Sequence, residues 1–191
     1  MILNEEWEHR LYAERDLTSV EEGKLIMDIL LIAGLWLDAS VWDEVVPTLK
    51  TLGHRPVPLT LPGQGDGSAS ATLDDQVAAV LAAMDSSSEK PMVVGHSAAC
   101  TLAWLAADAR PEKVAKGVVR LADERRFDVP VVLVCPEFTP AQARKWIAAG
   151  DVPELAKAKH LDYVDIDSGH WPMLTQPIEL ARLLAAAAAE A

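Results

Sequence analysis

A serine, a histidine and a sharp turn between a strand and a helix are the features of this chain best suited to chemistry. Residues 91–99 read Pro-Met-Val-Val-Gly-His-Ser-Ala-Ala, a short β-branched run that leads into Gly95, Ser97 and an alanine-rich segment. This order predicts a nucleophile elbow, which lifts the Ser97 hydroxyl above the edge of a sheet. Ala99 replaces the last glycine of the G-x-S-x-G pattern, and its small side chain still allows strand and helix to approach closely. Ser97 is therefore the candidate nucleophile for acyl transfer.

The base that such a serine requires is predicted to be His170. A hydroxyl attacks well only when a base removes its proton, and neutral imidazole suits this task near pH 7. His170 follows a predicted strand at residues 163–166, close to the end of the chain. His96 lies inside the turn, and we expect its side chain to point away from the serine's side. The first N–H of the following helix, that of Ala98, is free to stabilise a developing oxyanion.

Strands and helices alternate along the chain, which indicates a mostly parallel sheet covered on both faces. The predicted fold class is thus α/β, a three-layer αβα sandwich. Thr72 is a plausible N-cap with Asp75 at the third helical position. The predicted strands cover residues 29–33, 55–59, 92–94, 114–121, 129–134 and 163–166, and the predicted helices cover residues 41–52, 73–84 and 98–109.

Four stretches of the chain together resemble the α/β-hydrolases, over about residues 28–184. They are residues 31–35 followed by Trp42, residues 61–68, residues 93–99 and residues 168–172. Most members of this family carry a cap domain, but here only residues 122–128 separate two predicted strands. The resemblance therefore implies a minimal α/β-hydrolase core without a cap domain, at residues 25–191. Residues 1–24 carry a rough apolar stripe at helical spacing and are predicted to form an N-terminal helical extension.

The resemblance also implies which residues complete the site. Leu35, directly after Gly34 in the loop that follows the first strand, is expected to supply the second oxyanion N–H. Trp36 and Trp171 neighbour the expected site residues and are candidates to contact substrate, with core packing as the equal alternative.

The acid that should orient His170 is where the family pattern breaks. Thr139 stands at the position of the usual aspartate, and a threonine cannot stabilise a positive imidazolium as a carboxylate does. Glu137, two residues earlier, has a longer side chain that reaches further. Asp123, after the preceding strand, is a second candidate, and a site without any acid is the third reading. Such a dyad would be slower because the imidazole would lose orientation and charge stabilisation.

Composition sets the outer limits of function. The 191 residues are 50% hydrophobic, enough for one domain to bury a sizeable core. A formal net charge of −12 disfavours binding to nucleic acid or to anionic membranes. The acidic N-terminus does not resemble a signal peptide, and no apolar run is long enough to span a bilayer, so we expect a cytoplasmic protein.

No cofactor or metal is expected. Cys100 and Cys135 lack metal-ligand spacing and are expected to be buried and inert, and Asp165 and Asp167 are expected to face solvent as alternate residues of a strand end. The glycine-rich stretch at residues 63–67 does not open directly into a helix, which argues against dinucleotide binding.

The sequence therefore predicts a cofactor-free serine hydrolase of carboxylesterase type, acting on a small-molecule ester or lactone. The alternative is a non-catalytic or weakly active binding protein of the same fold, favoured by the missing aspartate and by alanine at residues 33 and 99. Apolar surface around an open site mouth suggests a homodimer.

Overall fold

The computed structural model of the chain describes residues 26–34, 36–65, 71–87, 90–108 and 124–189. The described strands are β1 (Asp28–Ile32), β2 (Arg55–Leu59), β3 (Met92–Gly95), β4 (Val131–Cys135) and β5 (Leu161–Asp165). The described α-helices are α1 (Val46–Thr51), α2 (Leu73–Asp85), α3 (Ala99–Asp108), α4 (Pro140–Ala149), α5 (Pro172–Thr175) and α6 (Pro177–Ala189). The predicted N-terminal extension and the predicted strand at residues 114–121 lie outside the described residues.

All described strand pairs are parallel. β1 lies between β2 and β3, with Leu30 opposite Val57 on one side and Val93 on the other. β4 pairs with β5, and this register places Cys135 opposite Asp165 at the carboxyl ends of the two strands. Ligands and reacting groups of parallel α/β sheets gather at the carboxyl ends of strands, so these ends decide where the site lies.

Helices cover both faces of β1, whose side chains alternate between two hydrophobic clusters. Ile29 and Leu31 pack in a cluster that includes residues of α1, α6 and β5. Ile32 packs on the other face, in a cluster with residues of α2 and α3. Alternating side chains on a buried central strand require an apolar layer on each side. The prediction of a three-layer α/β sandwich with a mostly parallel sheet is confirmed.

α6 supplies much of the first cluster because its apolar residues recur at helical spacing. Its buried side chains are Leu180, Ala181, Leu183, Leu184, Ala185 and Ala188. Several partly buried side chains of β4 pack against the same cluster, so α6 joins the two strand groups through one core. None of the helices that the structure describes combines the length and the apolar character needed to cross a bilayer.

The start of α2 is set by the local signal that the sequence carries. The Thr72 hydroxyl accepts a hydrogen bond from the Asp75 N–H at 3.2 Å, and the Asp75 carboxylate accepts one from the Thr72 N–H at 2.8 Å. This reciprocal capping box satisfies two of the N–H groups that a helix N-terminus leaves unpaired. The hydrogen bonds that the Asp75 carboxylate accepts from the N–H and the hydroxyl of Thr72 lower the pKa of Asp75. The predicted N-cap is confirmed.

Three predicted boundaries are wrong, and proline explains two of them. β5 begins at Leu161, two residues earlier than predicted. The helix predicted at residues 41–52 is instead two elements. They are a 3₁₀ helix at Ala39–Trp42 and the separate helix α1, which has Pro47 in its first turn. Proline has no N–H and is tolerated only at a helix start, so a continuous helix through residue 47 is excluded. β4 begins at Val131, two residues later than predicted, directly after Pro130.

Candidate active site

The turn between β3 and α3 has the strained geometry expected of a nucleophile elbow. Ser97 has φ of 54°, a left-handed conformation that is uncommon for residues other than glycine. A Cβ atom at Gly95 would lie 2.5 Å from the Ala99 carbonyl oxygen, so only glycine fits there. Ala99 is buried where strand and helix meet. The turn therefore keeps the Ser97 side chain exposed, as the sequence predicts for a nucleophile elbow.

Three side chains from three separate loops meet at this turn. His170 Nε2 lies 3.2 Å from Ser97 Oγ, and His170 Nδ1 lies 2.8 Å from Glu137 Oε2. With Nδ1 protonated and donating to Glu137, Nε2 is free to accept the proton of the Ser97 hydroxyl. The geometry is that of a nucleophile, a base and an acid that orients the base.

Parallel pairing of β4 and β5 brings the histidine and the glutamate together. Glu137 follows the last residue of β4 by two positions, and His170 follows the last residue of β5 by five. Because Cys135 and Asp165 pair in register, the two loops leave the same edge side by side. Of the acids that the sequence left open, Glu137 is the one that the structure brings to His170, whereas Asp123 lies outside the described residues.

Thr139, at the position of the usual aspartate, has a structural role. Its hydroxyl accepts a hydrogen bond from the Gln142 N–H at 3.2 Å, while the Gln142 side chain accepts one from the Thr139 N–H at 2.8 Å. Thr139 is thus the N-cap of α4. The Phe138 ring packs edge-on against Trp146 of α4, with ring centroids 5.1 Å apart. Residues on both sides of the turn therefore fix the loop from which Glu137 projects.

The loop that carries His170 is held by side chains that the sequence analysis did not identify. The Thr175 hydroxyl donates to the Trp171 carbonyl at 3.1 Å and lies 2.5 Å from the Ser168 hydroxyl. The Gln176 side-chain amide donates to the Asp167 carbonyl at 3.3 Å. These bonds bridge the chain on either side of His170. No sequence pattern points to Thr175 or Gln176, because their partners depend on how the loop folds back on α5.

His96 lies beside the histidine loop, which corrects the expectation that its side chain points away. His96 Nε2 is 2.7 Å from the His170 carbonyl oxygen, and the two rings are edge-on with centroids 5.1 Å apart. Burial lowers the pKa of His96. Its place directly before Ser97 was the one signal that could have suggested a contact with the site.

Of the two predicted oxyanion donors, one lies among the described residues. The Ala98 N–H lies in the turn before α3 and has no hydrogen-bond acceptor among those residues. Such an N–H at a helix start favours negative charge. Leu35 lies outside the described residues. Gly34, directly before it, approaches the elbow closely, since a Cβ there would lie 3.1 Å from Ser97 Cβ.

Both predicted aromatic contact residues are exposed. Trp36 is 95% exposed and has φ of 64°, and Trp171 is 50% exposed with its ring edge-on to His170 at 5.6 Å. Core packing is therefore not the role of Trp36. Trp36 combines a large exposed aromatic ring with a left-handed backbone, and residues held in such conformations cluster at ligand sites.

Two aspartates and two cysteines remain among the residues that the sequence singled out. Asp165 and Asp167 are exposed, as predicted, and the described residues contain no group of three or more His, Cys, Asp or Glu side chains that could hold a metal ion. Cys135 is buried, and burial raises the pKa of its thiol to about 11. Cys100 is exposed rather than buried, and its thiol donates to the Gly95 carbonyl at 3.0 Å.

Comparison with known proteins supports the fold. The sequence model of the alpha/beta hydrolase family matches residues 29–163, which is more than half of the chain. No curated protein matches the chain. Many solved structures, by contrast, share its fold.

Three solved structures illustrate the likeness. A pyrethroid hydrolase from Sphingobium faniae JZ-2 aligns with a TM-score of 0.68 at 15% identity, covering 87% of this chain and 98% of that one. Polyneuridine aldehyde esterase aligns with a TM-score of 0.64 at 16% identity, covering 86% and 100%. Tomato methylketone synthase I, in complex with 2-tridecanone, aligns with a TM-score of 0.63 at 15% identity, covering 87% and 99%. At these identities the likeness establishes the fold.

Proposed function

Because this chain belongs to the alpha/beta hydrolase family, we propose that it is a serine hydrolase that cleaves a carboxylic ester or lactone through an acyl-enzyme. One observation carries the proposal, the continuous line of contacts from Ser97 Oγ through His170 to Glu137. Packing of the core does not require three polar side chains from three loops to form two consecutive hydrogen bonds at an exposed turn.

The chemistry follows from these contacts. Ser97 Oγ attacks the ester carbonyl carbon while its proton passes to His170 Nε2. The imidazolium that forms is stabilised by the Glu137 carboxylate at Nδ1. When the tetrahedral intermediate collapses, the C–O bond to the alcohol breaks and His170 returns the proton to the leaving oxygen. Water then attacks the acyl-enzyme in the same way, releasing the acid and restoring Ser97.

Backbone N–H groups stabilise the negative charge of the intermediate. The Ala98 N–H, free at the start of α3, is one donor, and the Leu35 N–H is the second by its position after Gly34. Such donors act most strongly when they are fixed before the charge forms, and each is worth roughly 2.7–4 kcal/mol of barrier in comparable enzymes. Close contact between Gly34 and the elbow supports this arrangement, since it brings the first loop against Ser97.

The open surroundings of Ser97 favour substrates with an apolar group that remains partly exposed. Ser97 and His170 are both exposed, Trp171 packs edge-on against His170, and Trp36 is exposed two residues after Gly34, which approaches Ser97 closely. Two of the structures that share this fold are named as a pyrethroid hydrolase and as an esterase, polyneuridine aldehyde esterase. We therefore propose an ester with a bulky apolar part as substrate. A cytoplasmic location, a homodimer and the absence of a cofactor stay predictions from the sequence.

Labelling with a fluorophosphonate probe tests the proposal directly. The probe should modify the wild-type protein at Ser97 and should leave Ser97→Ala unmodified. Ser86→Ala, at an exposed serine after α2 that donates to the Ala82 carbonyl, is the matched control and should label like wild type. A rapid initial burst of p-nitrophenol release from a p-nitrophenyl ester would then show the acyl-enzyme. An unreactive wild-type protein would reject hydrolysis and favour the binding-protein alternative.

A further inference from the structure

His96 connects the nucleophile turn to the backbone of the histidine on the opposite loop. Its Nε2 lies 2.7 Å from the carbonyl oxygen of His170, a residue 74 positions away. The backbone of His96 is itself fixed, since its N–H donates to the Ile32 carbonyl of β1 and its own carbonyl accepts from the Ala99 N–H, each at 3.0 Å. The main chain of His170 is therefore hydrogen-bonded to the turn after β3, whose backbone is in turn hydrogen-bonded to β1.

The identity of the acceptor determines the tautomer of His96. A carbonyl oxygen can only accept, so Nε2 must carry the hydrogen and donate it. Nδ1 is then a bare acceptor. It is buried and has no hydrogen-bond partner among the described residues, and a Cβ at Gly34 would lie 3.1 Å from it. A proton added to His96 would have to reside on this buried nitrogen.

The neutral state of His96 suits a neighbour that becomes charged. Burial is the largest effect on the pKa of His96 and lowers it, the hydrogen bond to the His170 carbonyl raises it, the charge of the His170 ring lowers it and the charge of Glu137 raises it, so that the pKa of His96 is lowered on balance. In the proposed reaction His170 takes up a proton, and a second positive ring with its centroid 5.1 Å away would oppose that step. An uncharged donor fixes the His170 loop without this repulsion.

We propose that His96 is a positioning residue, which holds the His170 backbone by a neutral Nε2–H···O=C bond and so sets the imidazole between Ser97 and Glu137. The inference rests on the proposed hydrolase function and adds a residue to it. His96 does not touch the substrate. It acts by removing freedom from the loop of the base, and a displacement of about 1 Å in a reacting group can cost roughly 100-fold in rate.

Two amide substitutions separate this role from simple packing. In His96→Gln the side-chain amide nitrogen stands near the place of Nε2 and can donate to the His170 carbonyl, whereas in His96→Asn the amide is too short to reach it. We expect kcat for an aryl ester to fall roughly 10- to 100-fold in His96→Asn, with KM changed less than about twofold. His96→Gln should recover most of the loss. Equal kcat in the two variants at matched thermal stability would overturn the proposal.

The pH dependence of kcat/KM distinguishes this positioning role from a role in packing alone. Protonation of either His170 or His96 should stop the wild-type enzyme, so log kcat/KM should fall with a slope that exceeds one at the acid end. His96→Gln removes one of the two histidines and keeps Glu137 beside His170, so its slope should be lower than that of the wild type. A wild-type slope of one down to the acid limit of folding would reject the requirement for a neutral His96.

Imidazole ¹⁵N spectra keep this inference separate from the proposed function. In the wild-type protein His96 should appear as the neutral Nε2–H tautomer, and the His170 signals should shift in His96→Asn and return in His96→Gln. If the protein proves inactive towards esters, these spectra still test the bond. A His96 found as the Nδ1–H tautomer, or His170 signals that His96→Asn leaves unmoved, would overturn the proposal even in an active enzyme.

Discussion

Glu137 and His170 stand 33 positions apart in the chain, yet Glu137 Oε2 lies 2.8 Å from His170 Nδ1. The carboxylate and the imidazole are both about half exposed, at 51% and 44% of their side-chain surface. An exposed ion pair contributes little to folding stability, typically below about 1 kcal/mol. The contact is better explained by the chemistry of His170 than by the stability of the fold.

Glu137→Gln tests this contact. The amide keeps the size of the side chain and removes its charge, so the imidazolium loses its stabilising partner. We expect kcat for an aryl ester to fall about 100- to 1,000-fold, less than for a fully buried acid, with the melting temperature nearly unchanged. Glu179→Gln, which removes a carboxylate 3.8 Å from Arg182 on α6, is the matched control and should leave kcat unaltered. Wild-type kcat in Glu137→Gln would point to Asp123 or to a site without an acid.

Trp36→Ala should affect substrate binding without affecting stability. Trp36 is 95% exposed, so its removal uncovers no core, whereas an aromatic contact to substrate is worth about 0.5–1.5 kcal/mol. We expect KM for a naphthyl ester to rise roughly 2- to 10-fold and KM for an acetate ester of a small alcohol to change little. Ile178→Ala, at an exposed apolar residue of α6, serves as control. Equal KM values for all three proteins would remove Trp36 from the substrate site.

Gly95→Ala should destabilise the elbow. The new methyl group would lie 2.5 Å from the Ala99 carbonyl oxygen, and the peptide unit between Ala99 and Cys100 leaves no room for it. Overpacking of this kind costs about 1–3 kcal/mol or more, measurable as a lower urea midpoint. At Gly169 nothing lies within 4 Å of the position that a methyl group would take, so Gly169→Ala should unfold at the wild-type midpoint. A Gly95→Ala protein as stable as Gly169→Ala would show that the turn has more room than this contact implies.

Met173→Ala should lower the free energy of unfolding, because Met173 is fully buried in the cluster beneath the His170 loop. Truncation of a buried methionine costs about 2–5 kcal/mol. The neighbouring Leu174 is 55% exposed, and Leu174→Ala should cost no more than about 0.5 kcal/mol. Chemical denaturation of the two variants compares adjacent residues of the same short helix, and similar losses in both would contradict the burial of Met173.

Thr139→Ala should weaken the start of α4. It removes the oxygen that accepts the Gln142 N–H, and loss of an N-cap costs typically about 1 kcal/mol. Thr139→Asp keeps an acceptor at the same position and should retain wild-type stability, since aspartate is at least as good an N-cap as threonine. Thermal unfolding distinguishes the two variants. A Thr139→Ala protein as stable as wild type would mean that the capping box contributes nothing measurable.

The sequence by itself determined those features that depend on neighbours along the chain. Local residue types predicted the capping box of Thr72 and Asp75 and the strand-turn-helix around Ser97, because caps and tight turns form their contacts within a few residues. They also located the strand at residues 55–59. Proline positions were the local information that the predicted boundaries neglected. The parallel α/β arrangement also followed, since alternating strands and helices leave few other ways to bury both faces of a sheet.

Only the tertiary structure decided which acid faces His170 and where His96 points. From the sequence, Glu137, Asp123 and no acid at all were open, because the reach of a side chain across two loops depends on strand register and on the caps that shape each loop. The pairing of Cys135 with Asp165 and the capping of α4 by Thr139 bring Glu137 to the imidazole. These contacts join residues far apart in the chain and depend on the packing of the whole domain. Patterns of neighbouring residues therefore do not predict them.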